Sequence, residues 1–117
     1  MRKITKESVK AFLVGKKFKQ GNTEVLVFPD RVEMSLHGNL IARRVPGKPE
    51  VFIRDAGWQT KTTKDRLNGI LEEIGHAWIY QADFKWWVVS RRRAVLFPSN
   101  EWYCVRGGND EKETKNL

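Results

Sequence analysis

Apolar residues with helical spacing predict a short helix near the N-terminus. Val9, Phe12 and Leu13 repeat at i, i+3 and i+4, so they would form one apolar stripe on a helix. We expect Thr5 to cap the start of this helix, because its hydroxyl can accept from a free backbone N–H. Gly15 is expected to end it, since glycine tolerates the left-handed conformation found there.

From residue 24 onward the chain shows shorter apolar runs separated by turn residues, a pattern typical of β-strands. Val32, Met34 and Leu36 alternate with polar residues, as in a strand that is buried on one face. Four strands are expected in this part of the chain, within residues 25–28, 32–36, 40–42 and 51–53.

A second helix is predicted between residues 62 and 75. Its apolar residues recur with helical spacing at Leu67, Ile70, Leu71 and Ile74. We expect Thr62 or Thr63 to cap its start and Gly75 to end it. After it, three or four further strands are expected within residues 77–80, 84–89, 94–97 and 102–105.

The connections between the predicted strands are too short for crossover helices, which favours antiparallel pairing. The fold class is therefore α+β, with a mostly antiparallel sheet of about six to seven strands and with the N-terminal and central helices packed on it. Residues 1–106 are predicted to form one domain. Residues 107–117 are predicted to be a disordered charged tail, because they contain no large apolar residue before Leu117.

The composition argues against several classes of protein. A chain of 117 residues that is 40% hydrophobic can build one core without stabilising disulfides or metal ions. Its single cysteine, Cys104, is interpreted as buried; it excludes an intrachain disulfide and, with only two histidines, a Cys/His zinc site. We predict no cofactor and no metal. The chain has no apolar run long enough to span a bilayer and no signal peptide, so we expect a cytoplasmic protein without a membrane partner.

The net charge points toward a polyanionic partner. The 22 Lys and Arg residues outnumber the 14 Asp and Glu residues, which gives a formal charge of +8. Such a balance favours DNA or RNA through phosphate neutralisation and counterion release, or alternatively an acidic host protein. Solubility alone is a third explanation for the charge.

The cations cluster where connections between elements are expected, and connections are where side chains and backbone N–H groups can meet phosphates. The start of the second helix is the best single phosphate site, since its dipole would assist the lysines there. A rim of unrelated solvated charges is the alternative interpretation. The candidate nucleic-acid-binding residues are Lys16, Lys17, Lys19, Arg43, Arg44, Lys61, Thr63, Lys64, Arg66, Arg91, Arg92 and Arg93.

The tryptophans offer a second kind of site. Trp86 and Trp87 are consecutive on a predicted strand, so one should enter the core while the other points away from it. The outward one could stack on bases or anchor a protein interface. Trp58 is expected to pack in the core.

No catalytic constellation is predicted. His37 lies in a turn, and neither a second histidine nor a carboxylate cluster can be placed opposite it from the sequence. The motifs of nucleophilic and nucleotide-hydrolysing enzymes are absent. We therefore expect no enzyme, with nuclease activity through His37 as the weaker alternative.

Three segments resemble a group of small uncharacterised bacteriophage proteins. They are Gly21-Asn22-Thr23, the run LHGNLIA at residues 36–42, and the run GWQTKTTKDRLNG at residues 57–69. The resemblance implies phage origin and a role in the infected host's cytoplasm, but no activity. The function predicted from these observations is a small non-enzymatic phage accessory protein that binds nucleic acid through basic loops. The alternative is a protein-binding inhibitor or modulator of a host enzyme.

Overall fold

The computed structural model describes residues 2–75, 77–90 and 93–106, and within them it has two helices and nine strands. The elements are α1 (Lys3–Val14), β1 (Phe18–Gln20), β2 (Thr23–Val27), β3 (Val32–Leu36), β4 (Asn39–Arg44), β5 (Glu50–Ile53), α2 (Lys61–Glu73), β6 (Trp78–Ala82), β7 (Lys85–Val89), β8 (Ala94–Leu96) and β9 (Tyr103–Arg106). The α+β prediction, with an N-terminal and a central helix, is confirmed. The tail predicted at residues 107–117 lies outside the described residues.

The strands form two antiparallel sheets. The large sheet has the order β1-β2-β3-β4-β5-β9, and the small sheet has the order β6-β7-β8. The strand count exceeds the predicted six to seven partly because β1 has no apolar alternation; its pairing with β2 alone defines it. Strand β9 joins the large sheet beside β5, so the small sheet is inserted between α2 and β9.

The two helices cover one face of the large sheet. Phe12 of α1 and Ile70 of α2 are fully buried, as are Met34 and Ile53 on the strands they cover. A β-bulge between β3 and β4 places Ile41 beside Ala42 with both side chains buried. Of the helices in the described chain, neither is long and apolar enough to cross a membrane.

The helix ends differ from the predicted caps. Helix α1 begins at Lys3, so Thr5 lies inside it and is buried, while Gly15 ends it in the left-handed conformation as predicted. Helix α2 is capped by Thr60 rather than by Thr62 or Thr63: the Thr60 hydroxyl accepts from the backbone N–H of Thr63 at 3.1 Å. The capping hydroxyl must precede the first helical residue, and only Thr60 does so.

A buried arginine joins the helices to the sheet. Arg66 of α2 is 1% exposed, and its Nε donates to Thr23 Oγ1 of β2 at 3.0 Å. Its Nη1 donates to Thr5 of α1 and to Asp65 Oδ2, the latter at 3.0 Å, and the Thr5 hydroxyl in turn donates to Asp65. Burial lowers the pKa of the Arg66 guanidinium, and the neighbouring Asp65 carboxylate opposes that shift. This Arg66 network fixes α1, α2 and β2 relative to one another.

Asn68 attaches α2 to the small sheet. Its Nδ2 donates to the Ile79 carbonyl at 2.9 Å, and its Oδ1 accepts from the Ile79 N–H at 2.6 Å. The side chain therefore occupies the edge of β6 that β7 does not pair.

Asp55 fixes the loop before α2 through hydrogen bonds to its carboxylate. It is fully buried, and its Oδ1 accepts from the backbone N–H groups of Gly57 and Asn100, at 2.8 and 2.7 Å. Its Oδ2 accepts from the Gln59 side chain at 3.0 Å. The Asp55 carboxylate thus ties this loop to the turn before β9.

Replacing Asp65 with Asn should lower the free energy of unfolding by about 2 to 4 kcal/mol, because the buried Arg66 charge is then left without its compensating carboxylate. Glu72→Gln removes the same charge from an exposed position of α2 and should change stability by less than about 0.5 kcal/mol. Urea denaturation monitored by circular dichroism measures both. Equal stability of the two variants would show that the Arg66 network is not what holds the helices in place.

Candidate nucleic-acid interface

The outer face of the large sheet is the side opposite the helices, and its side chains are accessible. Ala42 and Ile53 are buried beneath the helices, so Arg43 and Phe52, their neighbours in sequence, point to the outer face. Arg43 and Phe52 are also directly paired across β4 and β5. Arg43 is exposed and Phe52 is half-buried.

Two arginines lie against one tryptophan on this face. The Arg43 guanidinium lies 4.7 Å from the ring centroid of Trp102, and the Arg54 guanidinium lies 4.6 Å from it. Arg43 is also 5.2 Å from the ring centroid of Phe52. All these distances are within the range of cation–π attraction. We call Arg43, Phe52, Arg54 and Trp102 the arginine–tryptophan platform.

Both guanidiniums of the platform keep N–H groups that donate to no acceptor in the described chain. Arg54 uses its Nε to donate to the Leu40 carbonyl at 2.8 Å, which leaves its terminal nitrogens. Neither Arg43 nor Arg54 forms an ion pair with a carboxylate of the described chain. Arg31, by contrast, pairs with both Asp30 and Glu33, and hydrogen bonding to Glu33 raises its pKa. The platform arginines therefore have no carboxylate partner in the described chain, and an anionic ligand can bind them.

The cations predicted from the sequence do not form one surface. Lys19 of β1 shares the outer face with Arg43 but lies three strands away from it. The two are also offset by two residues along the sheet, since Lys19 aligns with Ser35 of β3 and Arg43 with Glu33. Lys16 and Lys17 are exposed just before that strand. The remaining described cations lie elsewhere: Lys61 and Lys64 on α2, at the helix side of the sheet, and Arg93 before β8.

Three predicted ligands have structural roles instead. Arg44 donates from Nε to the Phe12 carbonyl and from Nη2 to the Leu13 carbonyl, both at 2.8 Å, and so satisfies the last turn of α1. Burial lowers the pKa of Arg44. Thr63 is buried within the first turn of α2, and Arg66 is held inside its network. These three side chains are engaged inside the fold, so the interface described here does not include them. Arg91 and Arg92 lie outside the described residues.

The two consecutive tryptophans alternate as expected. Trp86 is the one that enters the core, where it packs against Phe97, and Trp87 is half-buried on the other side of the strand. Trp58 is 60% exposed rather than in the core, because the turn at Ala56 and Gly57 carries it outward.

Cys104 is exposed rather than buried. It pairs with Phe52 on the outer face of the large sheet, so strand alternation turns it away from the core.

His37 has a local role in the turn between β3 and β4. Its φ is 53°, and its Nε2 lies 3.2 Å from Asn22 Nδ2. It lines an open depression with Lys19, Asn22 and Glu24. No three His, Cys, Asp or Glu side chains in the described ranges could hold a metal ion.

The model of the Kyanoviridae Gp96 protein family matches residues 1–112. The chain belongs to the Kyanoviridae Gp96 family. Membership shows that this is a phage protein. No curated protein and no solved structure matches it.

Sequence reasoning missed Arg54, Phe52 and Trp102 as site residues. Phe52 and Arg54 are two residues apart, but Trp102 is distant from them in sequence, and the pairing of β5 with β9 brings it beside them. The one usable signal was their strand alternation, since each is adjacent to a residue that faces the core.

The neighbours Arg43 and Arg44 provide a matched test of which cations are structural and which lie on the accessible face. Arg44→Ala should lower the free energy of unfolding by about 2 kcal/mol, since it removes two charged hydrogen bonds to the end of α1. Arg43→Ala should cost less than about 1 kcal/mol, because it removes only ring interactions on an accessible face. Chemical denaturation of both variants checks this, and a larger loss of stability for Arg43→Ala would contradict the assignment.

Proposed function

We propose that this Gp96-family phage protein is a non-enzymatic accessory protein that binds nucleic acid on the outer face of its large sheet. The observation that carries the proposal is the pair of guanidiniums, Arg43 and Arg54, set against Trp102 without a carboxylate partner among the described residues. An arginine against a half-buried aromatic ring such as Trp102 combines the two contacts that nucleic acids offer, phosphate charge and base stacking.

The chemistry of the platform favours single strands. Trp102 and Phe52 present aromatic surface on a sheet, and bases stack on such surfaces only when they are free of a partner strand. The remaining donors of Arg43 and Arg54 can bind phosphate oxygens beside the stacked bases. Because stacking and phosphate contacts read no base edge, we expect weak sequence preference.

Charge beyond the platform supports this proposal. The formal charge of +8 attracts a polyanion at a distance, and Lys19 lies on the same face as the platform. Lys16 and Lys17, at the β1 end of the sheet, could continue a path for the phosphate backbone. The proposed interface thus lies on a sheet face, whereas the sequence predicted that it would lie on the basic loops.

Reversing the platform charges should weaken binding to a 20-nucleotide single strand by more than tenfold. In Arg43→Glu/Arg54→Glu the dependence of log affinity on log salt should also fall by about 1.4, near 0.7 for each phosphate that is no longer neutralised. Fluorescence anisotropy with labelled DNA and RNA measures both quantities. The matched control is Lys6→Glu/Lys10→Glu, which makes the same charge change on the exposed side of α1 and should weaken binding less than threefold.

Trp102→Ala should weaken binding by about tenfold, since stacking contributes about 1 to 3 kcal/mol per base. Trp102→Phe should restore most of the affinity, because a phenyl ring still stacks. The same anisotropy titration applies. Absence of binding by the unchanged protein, or equal losses of affinity in the platform and α1 variants, would refute a nucleic-acid interface here.

A further inference from the structure

The small sheet has a second accessible surface whose composition differs from that of the platform. Side chains that alternate away from the core on β6, β7 and β8 are almost all apolar. We call them the aromatic face; its members are Trp78, Tyr80, Trp87, Val89, Ala94 and Leu96.

The strand register makes these side chains contiguous. Tyr80 pairs with Trp87, and Trp87 pairs with Leu96, which gives one row across the sheet. Val89 joins Trp78 and Ala94 in the adjacent row in the same way. Directly paired side chains on one face of a sheet lie about 5 Å apart, so the six form a single patch.

The patch is open to solvent in the described chain. Trp78 is 53% exposed, Tyr80 41% and Leu96 49%. The outward positions of an antiparallel sheet that faces water are normally polar, so six apolar residues there mark a contact surface.

The hairpin tip beside the patch carries a further exposed apolar side chain, Phe84. Asp83 and Phe84 join β6 to β7 with φ values of 54° and 62°, a left-handed conformation that favours glycine or asparagine. Phe84 is 95% exposed, so its ring gains nothing from burial in the described chain. A phenylalanine that is both strained and solvated is consistent with a ring that is buried by a partner.

The other side of the small sheet holds the patch in a fixed shape. Ile79, Trp86 and Val88 are buried, and Asn68 binds the Ile79 backbone. The aromatic face is therefore presented on a packed scaffold, which lowers the entropic cost of binding.

Charge at the rim indicates which partner fits. Lys85, in the outermost row of the sheet, and Arg93, next to Ala94, are both exposed. Asp83 is the one carboxylate in residues 77–90 and 93–97. A second copy of the chain would bring the same cations and its own charge of +8 against them. Acidic side chains around an apolar centre would match both parts of the surface.

Single-stranded nucleic acid fits this patch less well than it fits the platform. No guanidinium of the described residues lies on the rings of Trp78, Tyr80 or Trp87, and aliphatic groups such as Leu96 fill part of the area. We propose that the aromatic face, with Phe84, docks a protein whose surface has an apolar centre and an acidic rim.

Site-directed photocrosslinking tests this proposal with the full chain. Benzoylphenylalanine replaces Tyr80 or Phe84, and in the control it replaces Trp58, whose exposure lies between those of the two test positions but which lies in the loop before α2. The probe is the nuclease-treated soluble fraction of infected host cells. We expect one protein to crosslink from positions 80 and 84 but not from position 58, with the crosslinked peptides rich in apolar and acidic residues.

Binding of that purified protein then tests the chemistry. Trp78→Ser/Leu96→Ser should weaken it more than tenfold and Lys85→Glu about threefold, whereas Arg43→Glu/Arg54→Glu should leave it within twofold and so separate this face from the platform. Unchanged unfolding midpoints verify that the variants fold. Crosslinking only to a second copy, only to nucleic acid, equally from position 58 or to nothing would overturn the proposal.

Discussion

The buried Arg66 network is the constraint on which the rest of the structure depends. One guanidinium, 1% exposed, contacts a threonine in α1, a carboxylate in α2 and a threonine in β2. A buried charge needs all its partners in place, because each missing partner raises the free energy of the folded state by leaving the charge desolvated without compensation. It therefore holds both helices on one face of the large sheet. The opposite face, with Arg43, Arg54 and Trp102, stays accessible as a consequence.

The positive charge of the protein serves two different purposes. Arg44 and Arg66 are structural: one satisfies the carbonyls at the end of α1 and the other anchors both helices. Arg43 and Arg54 carry no ion pair in the described chain and lie on aromatic rings. The two proposed contact surfaces are chemically distinct, since arginines dominate the platform and apolar side chains dominate the small sheet. Together the two proposals describe a protein that brings a partner protein and a nucleic acid together.

The sequence predicted well what depends on local periodicity, and poorly what depends on pairing. The stripe of Val9, Phe12 and Leu13 and the glycine after it indicated the first helix, because side-chain spacing alone decides that element. The sequence could not predict that the last strand joins β5, and so it missed Trp102 beside Arg54. The density of charge along the sequence does not show which cations are used inside the fold. Arg66 lies in a lysine-rich segment, yet it is buried and donates to threonines from two distant elements. Donors that suggested phosphate contacts are used inside the fold.

The most direct test of the central claim follows the five tryptophan indole N–H signals by NMR while a 10-nucleotide single strand is added. The account predicts that the Trp102 signal shifts, together with the backbone amides of Arg43, Phe52 and Arg54, while the Trp78 and Trp87 signals stay in place. Shifts at the start of α2 or on the small sheet, with Trp102 unmoved, would contradict it.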